Sequence, residues 1–216
     1  MCQSQSHYLV SNRTDCILCI IALTLLLLLP QKVARETLPE DERIDPYLTP
    51  PWRCTAVSFN KRLRIKGTKP MNKKKAARAH KARVASHLNS REHLLAYTDG
   101  SLKKIHGFRR VGSGTALYHQ NVEVKSEMLG LGGRSEVYDS EMAALAMGAR
   151  AAIQYTTQNP QITNIHFFVD NTAAVQRIFD PTPRAAQRHS AEFHNIISAF
   201  LDQNRDHSVE HIYSTC

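Results

Sequence analysis

The feature that most constrains the fold of this 216-residue chain is a short apolar run, IHFFV at positions 165–169, that stops at Asp170. A nearly continuous apolar run of this length is typical of a strand that is buried on both faces. Such a strand needs a covering layer on each side. The chain is therefore expected to supply helices for both faces of one sheet.

Apolar periodicity on either side of this run predicts the remaining elements. The predicted strands and helices are strands at 94–98, 112–119, 122–131, 165–169 and 209–213, and helices at 135–158, 171–179 and 185–203. Short polar turns at 103–107 and at Gln120-Asn121 join the first three strands into an antiparallel meander. Ser135 is the expected cap of the long helix. The predicted fold is α/β, with the order βββαβααβ, a mixed sheet and helices on both faces.

Two of the predicted strands end at a carboxylate. Strand 94–98 is followed by Asp99 and a turn at Gly100, and strand 165–169 is followed by Asp170. The crossover helix between these strands should place them parallel and adjacent, so that both Asp residues project from one edge. Taken alone, each feature has a simpler explanation, since Asp99-Gly100 is also a common hairpin turn and Asp170 a common helix cap.

A third carboxylate, Glu141, lies in the second turn of the long helix, where an ordinary surface residue is the simpler interpretation. A helix lying over the sheet can present Glu141 to the point where Asp99 and Asp170 meet. Three converging carboxylates would repel one another unless a cation lay between them. Oxygen ligands with no His or Cys nearby in this pattern favour Mg²⁺ or Mn²⁺.

Charge divides the chain into two halves. The net charge is +9, and residues 1–90 hold 16 Lys/Arg against 6 Asp/Glu, whereas residues 91–216 hold 12 against 13. Residues 53–89 contain 12 basic residues and no acidic one. This basic arm, whose residues 72–88 should be helical, is typical either of a nucleic-acid-binding segment or of a solvated linker.

The first 53 residues carry three further signals. The apolar run at 16–29 is short for a membrane span, so a buried helix is favoured over a signal or membrane segment. Proline is frequent from 39 to 51, which predicts an extended tether. Five cysteines, an odd count, fit a reducing intracellular compartment, nuclear or cytoplasmic, better than a disulfide framework. The expected division is an apolar segment at 1–30, a tether and basic arm at 31–90, and a folded domain at 91–216.

Four motifs together resemble a known family. They are YTDGS at 97–101, SEMAAL at 140–145, FVDN at 168–171 and the lead-in ERIDPYLTPPW at 42–52. In this order they resemble the type 1 ribonuclease H domain at the C-terminus of fungal LINE-like (non-LTR) retrotransposon polyproteins. The resemblance covers about residues 36–213.

The resemblance implies a ribonuclease H-like fold and cleavage of the RNA strand of an RNA–DNA hybrid. It implies two Mg²⁺ or Mn²⁺ ions, with Asp99 bridging them, Glu141 at the water-activating ion and Asp170 at the other. Gly100, Ser101 and Asn171 are the implied substrate-binding residues. Since the Glu precedes the second Asp, an integrase-like transposase is disfavoured.

The resemblance also predicts features that this chain lacks after its last strand. The family places a fourth carboxylate on a final helix, after a Trp-Pro-Gly-His-like loop, whereas here only Ser214, Thr215 and Cys216 follow. We therefore expect a C-terminally truncated domain with weak or no cleavage and bare apolar surface beside the last strand. The alternatives left open are a catalytically impaired nucleic-acid-binding remnant and a protein anchored to a membrane by residues 16–29.

Overall fold

The computed structural model describes residues 63–66, 73–178 and 185–213. Their elements, in chain order, are β1 (Leu63–Lys66), α1 (Lys73–His87), β2 (His93–Ile105), β3 (Phe108–His119), β4 (Val122–Gly132), α2 (Val137–Gln158), β5 (Asn164–Val169), α3 (Thr172–Ile178), α4 (Gln187–Gln203) and β6 (Ser208–Tyr213). The strands form one six-stranded sheet in the order β1-β6-β5-β2-β3-β4. The predicted mixed α/β sheet and its order βββαβααβ are confirmed, and β1 adds a strand at one edge.

The sheet is antiparallel on one side of β2 and parallel on the other. β2, β3 and β4 form the predicted meander. β5, β6 and β1 are added in parallel beyond β2. The predicted parallel neighbour relation between the two strands that carry Asp99 and Asp170 is therefore confirmed.

Helices cover both faces of the sheet, as predicted. Residues 94–98 of β2 and 165–169 of β5 are buried without interruption, although successive side chains of a strand point to opposite faces. On one face Leu94 and Ala96 of β2 join the large core beneath α2, α3 and α4. On the other face Leu95 and Tyr97 join a smaller core that includes Val84 of α1. The basic helix α1 is thus a packed element of the fold.

The prediction of bare apolar surface beside the last strand is wrong. Ile212 of β6 is only 1% exposed, and it lies in the same small core as Phe168 of β5 and Val84 of α1. α1 therefore buries the apolar face that the sequence pattern left without a partner.

The predicted end of the first strand at Asp99, with a turn at Gly100, is also wrong. β2 continues to Ile105 because its antiparallel pairing with β3 continues, through Asp99↔Gly114 and Gly100↔Ser113. What stops near Asp99 is the parallel pairing with β5, whose last pair is Tyr97↔Phe168. The turn of this hairpin is shorter than the predicted 103–107, since it consists of His106 and Gly107, both with positive φ.

The N-cap of the long helix is one residue later than predicted. Glu136, not Ser135, is the N-cap of α2, and its backbone N–H donates to Asp139 Oδ2 at 2.9 Å. The hydroxyl of Ser135 instead donates to the carbonyl of Leu131 at 3.0 Å, because the preceding strand end lies within its reach.

Some of the predicted segments lie outside the described residues: the apolar run at 16–29 and the proline-rich tether that precedes the basic arm. β1 and α1 come from the segment before residue 91 and join the sheet and its smaller core. Within the ranges that the structure describes, no helix combines the length and apolarity needed to cross a membrane.

Candidate metal centre

Three carboxylates meet at one end of the parallel strand pair. Asp99 lies within β2, Asp170 directly follows β5, and Glu141 lies in the second turn of α2. One oxygen from each side chain lies within 4.8 Å of the other two. Glu141 is 5% exposed, Asp99 is half-buried and Asp170 is exposed. The group is therefore closed on the helix side and open to solvent on the side of Asp170.

Strand register brings the two Asp residues together. Tyr97 pairs with Phe168, and each Asp follows its member of that pair by two residues. Because alternate residues of a strand share a face, Asp99 lies on the same face of β2 as Tyr97, the face that α1 covers. Asp170 is the first residue after the end of β5. The parallel direction of β2 and β5 places both carboxylates at the same end.

A close helix–strand contact at Gly100 delivers the third carboxylate. A Cβ atom on Gly100 would lie 2.5 Å from the backbone nitrogen of Glu141 and 2.4 Å from Ser140 Oγ. Only glycine therefore allows the first turns of α2 to lie this close to β2. The buried hydroxyl of Ser113, on the neighbouring strand, donates to the carbonyl of Ser140 at 2.8 Å and fixes the helix there.

Burial and neighbouring negative charge raise the pKa of both Glu141 and Asp99. Burial raises the pKa of Glu141 to about 8, and the charges of Asp170 and then Asp99 add to this effect. Burial raises the pKa of Asp99 to about 6, with a further contribution from Asp170. A hydrogen bond from the backbone N–H of Gly100 partly offsets both shifts. Without a cation, the cluster therefore retains a proton near neutral pH.

The residues present fit a hard divalent cation. All three donors are carboxylate oxygens, the ligand type that Mg²⁺ and Mn²⁺ prefer. Glu141 Oε2 is buried and accepts no hydrogen bond from any described residue. A buried acceptor without a partner is costly, and a cation bound by the cluster would satisfy it. Asp99, Glu141 and Asp170 would hold such an ion.

The three predicted substrate-binding residues have different surroundings. Gly100 faces α2, as described above, so its absent side chain serves helix packing. Ser101 lies on the same face of β2 as Asp99, and its buried hydroxyl has no hydrogen-bond partner among the described residues. Asn171 caps α3, because its Oδ1 accepts from the backbone N–H groups of Ala173 and Ala174. Asp170 is thereby left outside the helix cap.

Sequence reasoning missed the position of α1 beside this site. His80 of α1 makes edge contacts with Tyr97 and Phe168, the residues two before Asp99 and Asp170. The signal was present as His80, Val84 and Leu88 at intervals of four, within a helix otherwise rich in Lys, Arg and Ala. These three residues form a narrow apolar face, and the basic residues around them hide its periodicity in the sequence.

No protein-family model matches the chain. No curated protein matches it either. Among solved structures, it is similar to ribonuclease H1 from the halophilic archaeon Halobacterium salinarum, with 15% identity over 56% of this chain and 83% of that chain and a TM-score of 0.41. The N-terminal ribonuclease H domain of a Mycobacterium tuberculosis protein, solved as a fusion with maltose binding protein, is 12% identical over 56% and 86%, with a TM-score of 0.44. A compost-derived ribonuclease H1 in complex with RNA/DNA hybrid is 13% identical over 56% and 85%, with a TM-score of 0.40.

Proposed function

We propose that this chain is a divalent-metal-dependent endoribonuclease that cleaves the RNA strand of RNA–DNA hybrids, and that it derives from a fungal LINE-like retrotransposon. The observation that carries the proposal is the convergence of Asp99, Glu141 and Asp170, with a buried Glu141 oxygen that accepts no hydrogen bond within the described ranges. The order of the three carboxylates along the chain, Asp, Glu, Asp, supports the same assignment.

The chain's own residues would bind the ions and orient the nucleic acid. Asp99, Glu141 and Asp170 bind Mg²⁺ or Mn²⁺, and Asp170 offers the side that a phosphate can approach because it is exposed. Two such ions supply an activated water and stabilise the leaving oxygen. Gly100 and Ser101, next to Asp99 on β2, would offer backbone groups to the substrate strand.

The orientation of α1 supports nucleic-acid binding at this end of the sheet. His80 lies against Tyr97 and Phe168, whereas His87, at the end of the helix, lies against His93 and His166. The helix therefore runs antiparallel to β2, and its first turns point toward the carboxylates. Those turns carry the exposed Lys74, Lys75 and Arg78. Positive charges there would hold the phosphates of a hybrid independently of its sequence.

The proposal is tested by cleavage of an RNA–DNA hybrid labelled on the RNA strand, with Mg²⁺ or Mn²⁺ supplied. We expect metal-dependent cleavage by the full chain and a loss of about 100-fold or more in Asp170→Asn, since removing a metal ligand should cost at least as much as removing its outer-shell support. Asp202→Asn, a change of an exposed carboxylate on α4, is the matched control and should cleave like the unaltered chain.

A second candidate is a nucleic-acid-binding remnant, which the basic α1 favours. Metal binding and hybrid binding without cleavage, at any Mg²⁺ or Mn²⁺ concentration, would assign the chain to this class. Failure of Mg²⁺ to raise the melting temperature of the unaltered chain more than that of Asp170→Asn would contradict both the metal centre and the nuclease.

A further inference from the structure

Three histidines gather at the other end of the same two strands. His87 is the last residue of α1, His93 the first of β2, and His166 the third of β5. One ring nitrogen from each lies within 4.8 Å of the other two. The three rings are stacked, with centroids 4.2 to 5.0 Å apart. This group, the histidine cluster, lies about 20 Å from Asp99 along β2, at roughly 3.4 Å per residue.

A buried carboxylate lies behind His166, at ion-pair distance from its Nδ1. His166 Nδ1 lies 3.3 Å from Oε2 of Glu210, its neighbour on β6. Both residues are buried, at 3% and 9% exposure. The carboxylate therefore favours the proton on Nδ1, which leaves the Nε2 lone pair facing His93, whose Nδ1 is 2.7 Å away. A carboxylate behind an imidazole is the arrangement that fixes the tautomer and raises the basicity of a metal-binding histidine.

We propose that His87, His93 and His166 bind one divalent transition-metal ion of the Zn²⁺ class, with Glu210 supporting His166. Imidazole nitrogens suit Zn²⁺, Co²⁺, Ni²⁺ and Cu²⁺, and they discriminate against Mg²⁺, which prefers oxygen. Three histidines leave a fourth position for water. The facing nitrogens of His93 and His166 are 2.7 Å apart, a hydrogen-bond distance, and all three rings lie nearly parallel. Ligation at about 2.0–2.1 Å per nitrogen therefore requires loss of the proton between these two nitrogens and rotation of the rings, so that the three in-plane lone pairs point at one ion.

The position of the cluster gives the ion a structural consequence. His87 ends α1, whereas His93 and His166 belong to two neighbouring strands of the sheet. An ion shared by all three would tie the C-terminal end of the basic helix to the sheet. Bound Zn²⁺ would then reduce local unfolding of α1, independently of any reaction at the carboxylates. The inference does not depend on the proposed nuclease activity.

The test uses the full metal-stripped chain and the metals alone. Cys16→Ser and Cys19→Ser are made in every variant, because the Cys16–Cys19 pair could itself bind Zn²⁺ or Co²⁺. We expect one equivalent of Co²⁺ to give the visible absorption of a nitrogen-ligated ion, Zn²⁺ to displace it, and Mg²⁺ in excess not to. Zn²⁺ should also slow amide hydrogen exchange within α1.

Separate variants identify the ligands. His87→Ala and His93→Ala, both half-buried positions, should each weaken Co²⁺ binding at least tenfold. Glu210→Gln should weaken it by about 10- to 100-fold. His106→Asn, at the exposed hairpin turn where Asn tolerates the positive φ, should bind Co²⁺ as before.

The proposal would be overturned by any of three results. One is unchanged Co²⁺ affinity in both His87→Ala and His93→Ala, each checked by circular dichroism in chelator to be folded. A second is loss of binding in Asp170→Asn with retention in the histidine variants, which would place the ion at the carboxylates. The third is absence of any Zn²⁺ or Co²⁺ binding by the unaltered fold, which would leave the stacked imidazoles as ordinary packing beneath the end of α1.

Discussion

Gly100 shows how one residue without a side chain positions a charged one. Its position in the sequence, directly after Asp99, suggested a turn and a place for substrate. In the structure it lies within β2, at the point where the backbone of Glu141 comes closest. Whether the three carboxylates can meet therefore depends on how closely α2 approaches β2 at Gly100.

Gly100→Ala should disrupt the metal centre. The added Cβ would meet backbone atoms of α2, which cannot rotate away, so the start of the helix must shift. We expect a loss of about 1–3 kcal/mol in the free energy of unfolding and loss of the stabilisation by Mg²⁺. Gly148→Ala is the matched control. Its Cβ would clash with the side chains of Thr98 and Thr115, at a point of α2 that is remote from the first turns of the helix. It should destabilise the fold but keep the Mg²⁺ response; equal Mg²⁺ responses in the two variants would contradict the role of Gly100.

Glu141 should make the metal-free protein less stable as pH rises through neutrality. Its pKa is raised to about 8, against about 4.3 in an unfolded chain, so the native state retains a proton that the unfolded state has lost. Unfolding free energy should therefore fall by about 1–2 kcal/mol between pH 6.5 and 8.5. Buried His211 and half-buried His194, with pKa values lowered by burial to about 3 and 4, act in the opposite direction. They do so only below about pH 6.5, where unfolded histidine becomes protonated.

The measurement is denaturant unfolding in chelator at several pH values above 6.5. Glu141→Gln should flatten the profile, since the amide does not titrate, whereas Glu92→Gln, at an exposed position before β2, should leave it unchanged. Adding Mg²⁺ should reverse the slope, because the ion competes with the proton for the carboxylates. A profile of the same slope in Glu141→Gln would refute the assignment.

The three carboxylates could be predicted from the sequence, but not the contacts that assemble them. Asp99 and Asp170 each follow an apolar run, and Glu141 stands on a periodic helix in a motif with a known resemblance. The Ser113 hydroxyl that holds Ser140 lies on another strand, and no local pattern marks it. A contact between elements far apart in sequence leaves no trace in the periodicity of either one.

Among the elements, α1 is the one whose role differs most from its sequence pattern. Its Lys, Arg and Ala residues correctly predicted a helix, but they also suggested a solvated arm. Docking depends on the few inward residues, chiefly Val84 at 8% exposure, which meets Leu95, Tyr97 and Phe168. β2 was likewise predicted too short, since the polar residues from Ser101 to Lys104 look like a turn until β3 pairs with them.

Val84→Asp should detach α1 and weaken hybrid binding. Losing the buried valine should cost about 1.5–3 kcal/mol of unfolding free energy. Ala85→Asp, one residue further on the exposed side, introduces the same charge and is the matched control. Both variants lower the positive charge of α1 equally. If Val84→Asp loses more affinity for an RNA–DNA hybrid than Ala85→Asp does, at low and at moderate salt, the difference measures the contribution of α1 packing on the sheet. Equal affinities would indicate that α1 binds nucleic acid without resting on the sheet.

At the scale of the whole molecule, charge is divided between the two ends of the parallel strands. Carboxylates converge at one end of β2 and β5 and imidazoles at the other. The basic α1 lies between them along the same face, with six Lys/Arg and no acidic residue. The overall architecture could be predicted because strand and helix periods are local, whereas this division depends on which strands become neighbours.

The pairing of β1 with β6 also has a consequence for how the protein is made. Leu63 of β1 pairs with Val209 of β6. This edge of the sheet can therefore form only after β6 has been synthesised. Contacts of such long sequence separation form slowly. On the ribosome, β2 to β5 can assemble and offer α1 most of its packing surface, Leu95, Tyr97 and Phe168, before β6 is made. β1, by contrast, would leave its edge unpaired until synthesis of β6 supplies the strand that it pairs with.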